Sequence, residues 1–253
     1  MYAPERQQEI LRLAREAGRV DVLSLAERFQ VTAETVRRDL TALDRAGLIR
    51  RVHGGAIPSG LLDFEPDLTE REATTADEKD RIAAAALLRI PDGAGIILDA
   101  GSTVARLAAR IPVDHALTVV THALPVAARL ADHTGIDLHL VGGRVRHRTR
   151  AAVDAWALRA YAEVRADVLF LATNGFTPEA GLTTPDLAEG AVKRAAIAAA
   201  RRVVLLADSA KAGQEHFARF GTFADVDLLI TDTGLAPAHK AAIEAAGTEV
   251  ELV

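Results

Sequence analysis

The order of apolar and polar residues divides the chain into two regions. Up to about residue 57, apolar residues recur every three or four positions, which is the spacing of one buried helix face. Beyond about residue 75, short apolar runs alternate with helical stretches. The first pattern predicts a small helical domain, and the second predicts a larger domain in which strands and helices alternate.

In the first region the spacing predicts three helices followed by two short strands. The helices are expected at 5–17, 22–29 and 33–46. Since only a three-residue turn separates the second helix from the third, the two form a helix-turn-helix. A strand at 48–52 would then turn back through residues 56–57 and form a small wing. The region is therefore predicted to be a winged helix-turn-helix.

The ends of these helices carry recognisable capping residues. Asp21 and Thr32 stand where N-caps are expected, and Gly47 follows the last turn of the third helix. Gln30 occupies a turn position where glycine would be easiest. If Gln30 adopts the left-handed conformation, it costs about 1–2 kcal/mol, which packing around the turn could offset.

The third helix combines a buried stripe with DNA-reading side chains. Val36, Leu40 and Leu43 form the stripe, and hydroxyl and guanidinium groups lie on the other faces. Arginine binds guanine edges and phosphates, and threonine reaches bases or phosphates. The alternative is an ordinary surface helix whose charges are only solvated. The neighbouring turn and wing favour a DNA-binding helix instead.

The second region predicts a mainly parallel sheet covered by helices on both faces. Strands are expected at 95–99, 117–121, 136–141, 168–173, 203–207, 227–231 and 248–253. Helices are expected at 77–89, 103–110, 123–132, 152–163, 187–202 and 237–246.

Small and polar residues follow several of these strands. The groups are 99–103, 121–122, 142–144, 174–175 and 208–211. Open α/β sheets bind ligands at the carboxyl ends of their strands. Gly101, Ser102 and Thr103 also open a helix, where backbone N–H groups and hydroxyls suit a phosphate. Lys193 and Lys211 are conspicuous because the chain has four lysines against 26 arginines, and a lysine is a mobile point charge.

Each of these features has a plainer interpretation. Asp99 could cap the following helix, and His122 could be structural. Lys211 could pair with an acidic neighbour. The arginines that alternate along residues 144–150 are expected to be a solvated basic edge rather than a ligand clamp.

The composition of the chain limits the class of protein to which it can belong. The net charge of −5 argues weakly against a nucleic-acid binder, but residues 1–57 carry 10 Arg against 8 Asp and Glu, while 58–253 carry a net −7. The chain has no cysteine, no apolar run of membrane-spanning length and no signal-peptide pattern, which fits a cytoplasmic protein. The scattered histidines indicate no metal site, and no cofactor is expected.

The first region resembles the DNA-binding domain of the DeoR family of bacterial transcriptional repressors. The matching motifs are ERQQEIL, TVRRDL and RRVHGG. The resemblance implies a winged helix-turn-helix at 1–57 and an effector domain at 75–253. Between them, the two prolines and the glycine of residues 58–66 indicate a linker, which is expected over 58–74. It also implies binding of double-stranded operator DNA by a homodimer or homotetramer. The implied DNA-binding residues are Thr32, Thr35, Arg37, Arg38, Arg50, Arg51 and His53.

The second region is similar to the sensor domain of the same family, whose fold resembles ribose 5-phosphate isomerase. The matching motifs are LDAGSTV, VVTHAL, LVGG, ATNGF, GLTTPD and LLADSAK. The resemblance implies a phosphorylated sugar as effector. The implied pocket residues are Asp99, Gly101, Ser102, Thr103, Thr121, His122, Gly142, Gly143, Asn174, Gly175, Thr183, Thr184, Lys193 and Lys211.

Two positions depart from the common family pattern. Many members have Asn where this chain has His122, and Asp where it has Asn174. The resulting Thr-Asn-Gly triplet is similar to that of members that control fructose or other sugar-uptake operons. Fructose 1-phosphate is therefore the first expectation for the effector.

The rival class is an enzyme, a sugar-phosphate isomerase or deaminase. Such chemistry needs a general base beside the sugar, and Asp99 and Asp186 are possible. Asn174, however, stands where a carboxylate would be natural. The preferred hypothesis is a transcriptional repressor rather than an enzyme, and an activator would use the same residues.

Overall fold

A computed structural model describes residues 2–17, 20–52, 54–58, 65 and 67–253, without the side chains of 15–17, 50, 52, 57 and 58. The chain forms two compact units, Met1–Pro66 and Asp67–Val253. Among the described residues, no helix is both long and apolar enough to cross a bilayer.

The N-terminal unit is a three-helix domain with a small antiparallel sheet. Its helices are α1 (Ala3–Ala17), α2 (Val22–Phe29) and α3 (Ala33–Arg45), and its strands are β1 (Val20–Asp21), β2 (Ile49–Val52) and β3 (Gly55–Pro58). Strand β3 lies between β1 and β2. Ile10, Leu25, Val36, Leu40 and Ile49, from all three helices and β2, meet in one core. The predicted winged helix-turn-helix is confirmed, and the pairing of β1 with β3 was not predicted.

Three local interactions fix the helix-turn-helix. The Asp21 carboxylate accepts the N–H groups of Leu23 and Ser24 at the start of α2. The Thr32 hydroxyl accepts the N–H of Thr35 at the start of α3. Gln30 adopts the left-handed conformation, with φ of 54°. Its backbone N–H bonds the last turn of α2, so the turn closes despite a cost of about 1–2 kcal/mol.

The C-terminal unit contains a seven-stranded parallel sheet. The strands of the whole unit, which include those of two smaller sheets, are β4 (Gly95–Leu98), β5 (Leu117–Thr121), β6 (Ile136–Leu140), β7 (Arg144–Arg146), β8 (Ala151–Val153), β9 (Ala166–Ala172), β10 (Gly175–Thr177), β11 (Gly181–Thr184), β12 (Ala200–Leu206), β13 (Ala218–Gly221), β14 (Leu228–Thr231) and β15 (Glu249–Leu252). The large sheet has the order β15-β14-β12-β9-β4-β5-β6. Its seven strands match the predicted ones to within three residues.

Helices cover both faces of this sheet. They are α4 (Leu68–Ala73), α5 (Ala76–Leu87), α6 (Ser102–Ala108), α7 (Leu124–Leu130), α8 (Asp154–Ala162), α9 (Leu187–Ala199) and α10 (Pro237–Ala245). Side chains alternate across β4, so Ile96 joins the core under α5, α6 and α7, whereas Ile97 joins the core under α8, α9 and α10. Burial on both faces explains why the inner strands are mainly apolar runs, whereas the edge strands β6 and β15 also carry polar residues.

The shorter elements were not predicted. Strands β7 and β8 form a hairpin, and β10, β11 and β13 form a second antiparallel sheet. The helix predicted at 152–163 begins at Asp154 because β8 occupies the residues before it, and the helix predicted at 187–202 ends at Ala199 because β12 follows at once. Helix α4 lies in the segment predicted as a linker.

Candidate nucleic-acid interface and effector site

Helix α3 presents a polar face beside its buried stripe. Val36, Leu40 and Leu43 are buried, as predicted. Thr32, Arg37 and Arg38 are exposed, and Thr35 is half-buried. The Arg37 guanidinium lies 3.5 Å from the Glu34 carboxylate in an exposed pair, which is weak and leaves the arginine available. Arg38 has no polar partner among the residues that the structure describes.

A buried ion pair holds α3 against α1. The Arg6 Nε lies 2.6 Å from the Asp39 Oδ2, and the Gln7 amide donates to the Asp39 Oδ1 at 3.1 Å. Asp39 is 3% exposed. Sequence reasoning missed this residue, although its position three residues after Val36 places it within the apolar stripe. The pair fixes the face of α3 that turns outward.

The wing is attached to the end of α3 through Arg51. Its backbone N–H donates to the Asp44 carboxylate, and its guanidinium donates to the Thr41 hydroxyl, both at 3.1 Å. Strand β3 passes so close to β1 that a Cβ on Gly55 would lie 2.0 Å from the Val20 carbonyl oxygen. The predicted DNA contacts at the Arg50 side chain and His53 lie outside the described residues.

In the C-terminal unit, the centre of the candidate site is a buried pair of opposite charges. The Lys193 Nζ lies 2.5 Å from the Asp99 Oδ2 and donates to the Ala172 carbonyl at 2.9 Å. Asp99 also accepts the Ala172 N–H at 2.8 Å. Asp99 does not cap the following helix, because Gly101 occupies the N-cap position of α6. Its other oxygen, Oδ1, has no hydrogen-bond partner among the described residues.

His122 extends this group toward α8. Its Nε2 lies 3.5 Å from the Asp99 Oδ1, and its Nδ1 lies 2.8 Å from the Tyr161 hydroxyl. Burial lowers the pKa of His122, although the Asp99 charge opposes this. Burial also raises the pKa of Tyr161. At neutral pH the pair is therefore an uncharged, hydrogen-bonded wall of the site.

A second buried carboxylate lies at the start of α9. Glu189 accepts the Thr149 hydroxyl and lies 2.8 Å from the Arg146 guanidinium. Burial favours a higher pKa for Glu189, but Lys193 and Arg146 outweigh it and lower the pKa overall. Arg146 is only 13% exposed, so the expectation of a solvated edge at 144–150 is wrong for this residue. It is drawn inward because it neutralises a buried acid.

Lys211 brings a further cation to the same region. Its Nζ lies 3.6 Å from the Asp208 carboxylate, and its side chain is 14% exposed. Burial lowers the pKa of Lys211 to about 8, Asp208 opposes the shift, and Arg71, Lys79 and Lys193 add to it. The predicted pairing of Lys211 with an acidic neighbour is therefore present, yet cations surround the pair.

Arg71 and Lys79 complete this group and were not predicted. The Lys79 ammonium donates to the carbonyls of Arg71 and Thr74, both at 2.6 Å. The Arg71 guanidinium lies 3.9 Å from where a Cβ on Gly101 would be. Three of the chain's four lysines thus meet near this edge of the sheet. The rarity of lysine could have identified Lys79 from the sequence.

The other predicted pocket residues with polar side chains fall into three groups. The Thr121 hydroxyl donates to the Leu98 carbonyl and the Thr183 hydroxyl to the Gly175 carbonyl, so both support the backbone. The Thr184 hydroxyl donates to the Asn174 amide oxygen at 3.0 Å. Ser102 and Thr103 are buried, and the Thr103 hydroxyl has no hydrogen-bond partner in the described part of the chain.

The three remaining predicted positions are glycines, two of which lie close to the backbone of another segment. A Cβ on Gly175 would lie 2.4 Å from the Gln214 carbonyl oxygen, which brings the Lys211 loop against this strand. Gly143 approaches Val153 of the hairpin, and Gly142 has open space beside it. The residues that the structure describes include no cluster able to hold a metal ion.

A helix-turn-helix with exposed arginines and an α/β unit with a cationic site define a DNA-binding regulator with a sensor domain. Family models match both parts: the DeoR-like helix-turn-helix domain over residues 6–58, and the DeoR C terminal sensor domain over residues 74–233. The chain belongs to the DeoR family of transcriptional regulators, which confirms the resemblance stated above. It is a regulator rather than a sugar-phosphate enzyme.

Relatives match along nearly their whole length. The HTH-type transcriptional regulator GlpR of Haloferax volcanii is 34% identical over 250 residues, covering 99% of this chain and 98% of that protein. The glycerol-3-phosphate regulon repressor of Escherichia coli is 32% identical over 233 residues, covering 92% of each. Among solved structures, ribose 5-phosphate isomerase A of Methanocaldococcus jannaschii is similar with a TM-score of 0.42 and 16% identity over 56% of each chain.

Proposed function

We propose that this regulator represses a carbohydrate-metabolism operon, and that a phosphorylated sugar bound in the C-terminal unit changes its affinity for operator DNA. Several relatives are named as repressors, among them the glycerol-3-phosphate regulon repressor and the putative aga operon repressor of Escherichia coli. Thr35, Arg37, Arg38 and the wing would contact the operator.

The observation that carries the effector proposal is the charge balance of the site. Five cationic side chains lie among three carboxylates, so positive charge exceeds negative charge by two. The cations are Arg71, Lys79, Arg146, Lys193 and Lys211, and the carboxylates are Asp99, Glu189 and Asp208. A phosphate monoester carries close to two negative charges at neutral pH. Such a ligand would therefore neutralise the group.

Buried polar groups beside the cations favour a sugar over inorganic phosphate. The Asp99 Oδ1 and the Thr103 hydroxyl are buried without hydrogen-bond partners among the described residues. Sugar hydroxyls both donate and accept hydrogen bonds, so they would satisfy such groups. Asn174 adds an uncharged amide where a carboxylate would repel the phosphate. Fructose 1-phosphate remains the first candidate, and a relative named FruR in Bacillus subtilis is 34% identical.

A thermal-shift screen of the full chain tests this proposal. The panel contains fructose 1-phosphate, fructose 6-phosphate, glycerol 3-phosphate, unphosphorylated fructose and inorganic phosphate. At a concentration about 100-fold above Kd, a ligand should add about 2.7 kcal/mol of stability. For a domain of this size the corresponding rise in Tm is about 5–10 °C.

Matched lysine variants make the screen specific to the site. Lys211→Met should abolish the response, whereas Lys240→Met should preserve it, because Lys240 pairs with Glu244 on the surface of α10. No stabilisation by any sugar phosphate would refute the sensor proposal. An equal response to fructose and to its phosphates would refute the phosphate assignment.

A further inference from the structure

The chain's single tryptophan stands on the surface beside an open groove. Trp156 lies in the first turn of α8 and is 70% exposed. Tryptophan is largely buried in most folded proteins, and it is enriched at the centres of protein interfaces. The groove has a volume of about 450 Å³ and is lined by Gly143, Arg144, Val153, Asp154, Ala155 and Trp156 itself. A protruding ring and a cavity therefore adjoin on one surface.

More exposed apolar side chains surround the β7–β8 hairpin. Val145 in the middle of β7 is 38% exposed, and Leu140 at the end of β6 is 50% exposed. Leu124, which is 40% exposed, is tied to the hairpin through its N–H, which donates to the Arg150 carbonyl at 3.0 Å. Strand β6 is also the last strand of the large sheet. Exposed apolar residues that neighbour a groove along the chain are typical of interaction surfaces.

The rim of the groove carries both signs of charge. The Arg144 Nε lies 2.6 Å from the Asp154 Oδ2, and the two side chains are 61% and 45% exposed. Asp154 has a φ of 74°, a conformation that strains a residue other than glycine. The strained residue therefore sits where the hairpin passes into α8 and places its carboxylate on the rim.

We propose that this surface, centred on Trp156, is the contact between two copies of the chain. A two-fold contact uses the same patch on both subunits, so the patch must be self-complementary. Here each copy offers a ring and a cavity for the partner's ring, together with one cation and one anion for cross-pairing. A partner of a different kind would need to match only the ring or the cavity, and only the cation or the anion. The presence of both members of each pair on one patch therefore favours a second copy of the chain.

The size of the patch and the class of protein agree with this occupant. A stable interface buries about 800 Å² on each partner, and one tryptophan supplies about 150–250 Å². The exposed apolar residues near the hairpin supply only part of the rest, so the contact must also include polar residues of the rim such as Arg144 and Asp154. Helix-turn-helix regulators that read paired half-sites do so as two-fold dimers, which need a contact between the two copies. The inference goes beyond the proposed function and is independent of which sugar phosphate binds.

Dilution of the unmodified full chain is the decisive test. Because Trp156 is the single tryptophan, its fluorescence emission reports the burial of this surface directly. Sedimentation and emission are followed together from about 0.1 to about 100 μM. We expect the emission maximum to move to shorter wavelength over the same concentrations at which the mass doubles. A protein that stays monomeric, or one that dimerises without a change in emission, overturns the proposal.

A charged substitution and a matched control provide a second measurement. Trp156→Glu should weaken dimerisation at least tenfold, because it places a charge at the centre of the contact. Leu88→Glu should leave it unchanged, since Leu88 is 84% exposed at the end of α5. Equal dimerisation of both variants and the parent overturns the proposal. If Trp156→Glu fails to fold, as seen by circular dichroism, the dilution experiment still decides.

Discussion

The lowered pKa of Lys211 predicts that effector binding weakens as the pH rises above neutrality. Without ligand, burial and the neighbouring cations hold this pKa at about 8. A bound phosphate places negative charge beside the ammonium and raises the pKa again. Binding is therefore coupled to protonation of Lys211. Affinity is greatest below pH 8 and is lost as the pH rises through 8.

The size of the effect follows from the protonated fraction. Lys211 is about 90% protonated at pH 7 and about 10% protonated at pH 9, given a pKa of about 8. Affinity for a phosphorylated ligand should therefore fall about tenfold over this range, or about 1.4 kcal/mol. The ligand adds no slope of its own, because the second phosphate pKa of about 6 lies below the range.

Isothermal titration calorimetry of the full chain between pH 7 and pH 9 measures this slope. Lys211→Arg keeps its charge over the whole range and should give a flat profile, while Lys240→Met should reproduce the parent slope. Burial also lowers the pKa of Lys79 and of His216, and these groups face the same region. A slope that survives in Lys211→Arg would assign the titration to Lys79 and refute the reasoning.

Two further predictions concern the N-terminal unit. Arg38→Ala should weaken binding to a duplex selected in vitro by the parent protein, and it should reduce the salt dependence of that binding. Arg12→Ala on α1 is the control and should change neither. Both are measured by fluorescence anisotropy titration, and equal titrations of the two variants would contradict the assignment of α3 as the DNA-binding helix. Asp39→Ala removes the carboxylate that pairs with buried Arg6, so it should lower the free energy of unfolding in urea by about 3–5 kcal/mol. Glu34→Ala, at an exposed pair, is the control and should lower it by less than about 0.5 kcal/mol. A small loss in Asp39→Ala would show that the pair is not structural.

The large elements could be predicted because burial on two faces leaves an unmistakable pattern. The inner strands of the main sheet are mainly runs of apolar residues, and the edge strands β6 and β15 alternate apolar with polar residues. Each helix repeats its apolar residues every three or four positions. The β7–β8 hairpin shows neither of these patterns, because β7 is only three residues long and its Arg144 and Arg146 alternate with Val145. Its pairing depends on β8 lying opposite it, which short local patterns do not encode.

The candidate site was predicted in part for a similar reason. Residues that follow strands, such as Asp99 and Asn174, could be located because parallel strands end at one edge. The pairing of Asp99 with Lys193 joins positions 94 residues apart, so only the folded sheet reveals it. Arg71 was missed because it lies in a segment whose prolines suggested a linker, although α4 forms there.

The buried pair at Asp99 constrains how an effector could change the state of the sensor. A ligand shifts an equilibrium only if it binds two states unequally. A phosphate that draws Lys193 away would leave Asp99 buried and unpaired, at a cost of about 3–5 kcal/mol. His122 Nε2, 3.5 Å from the free Asp99 oxygen, is the nearest replacement donor. The His122 carbonyl accepts the Ala152 N–H of β8 at 2.8 Å, so a shift of the His122 backbone toward Asp99 would move the hairpin, whereas a rotation of the ring alone would not.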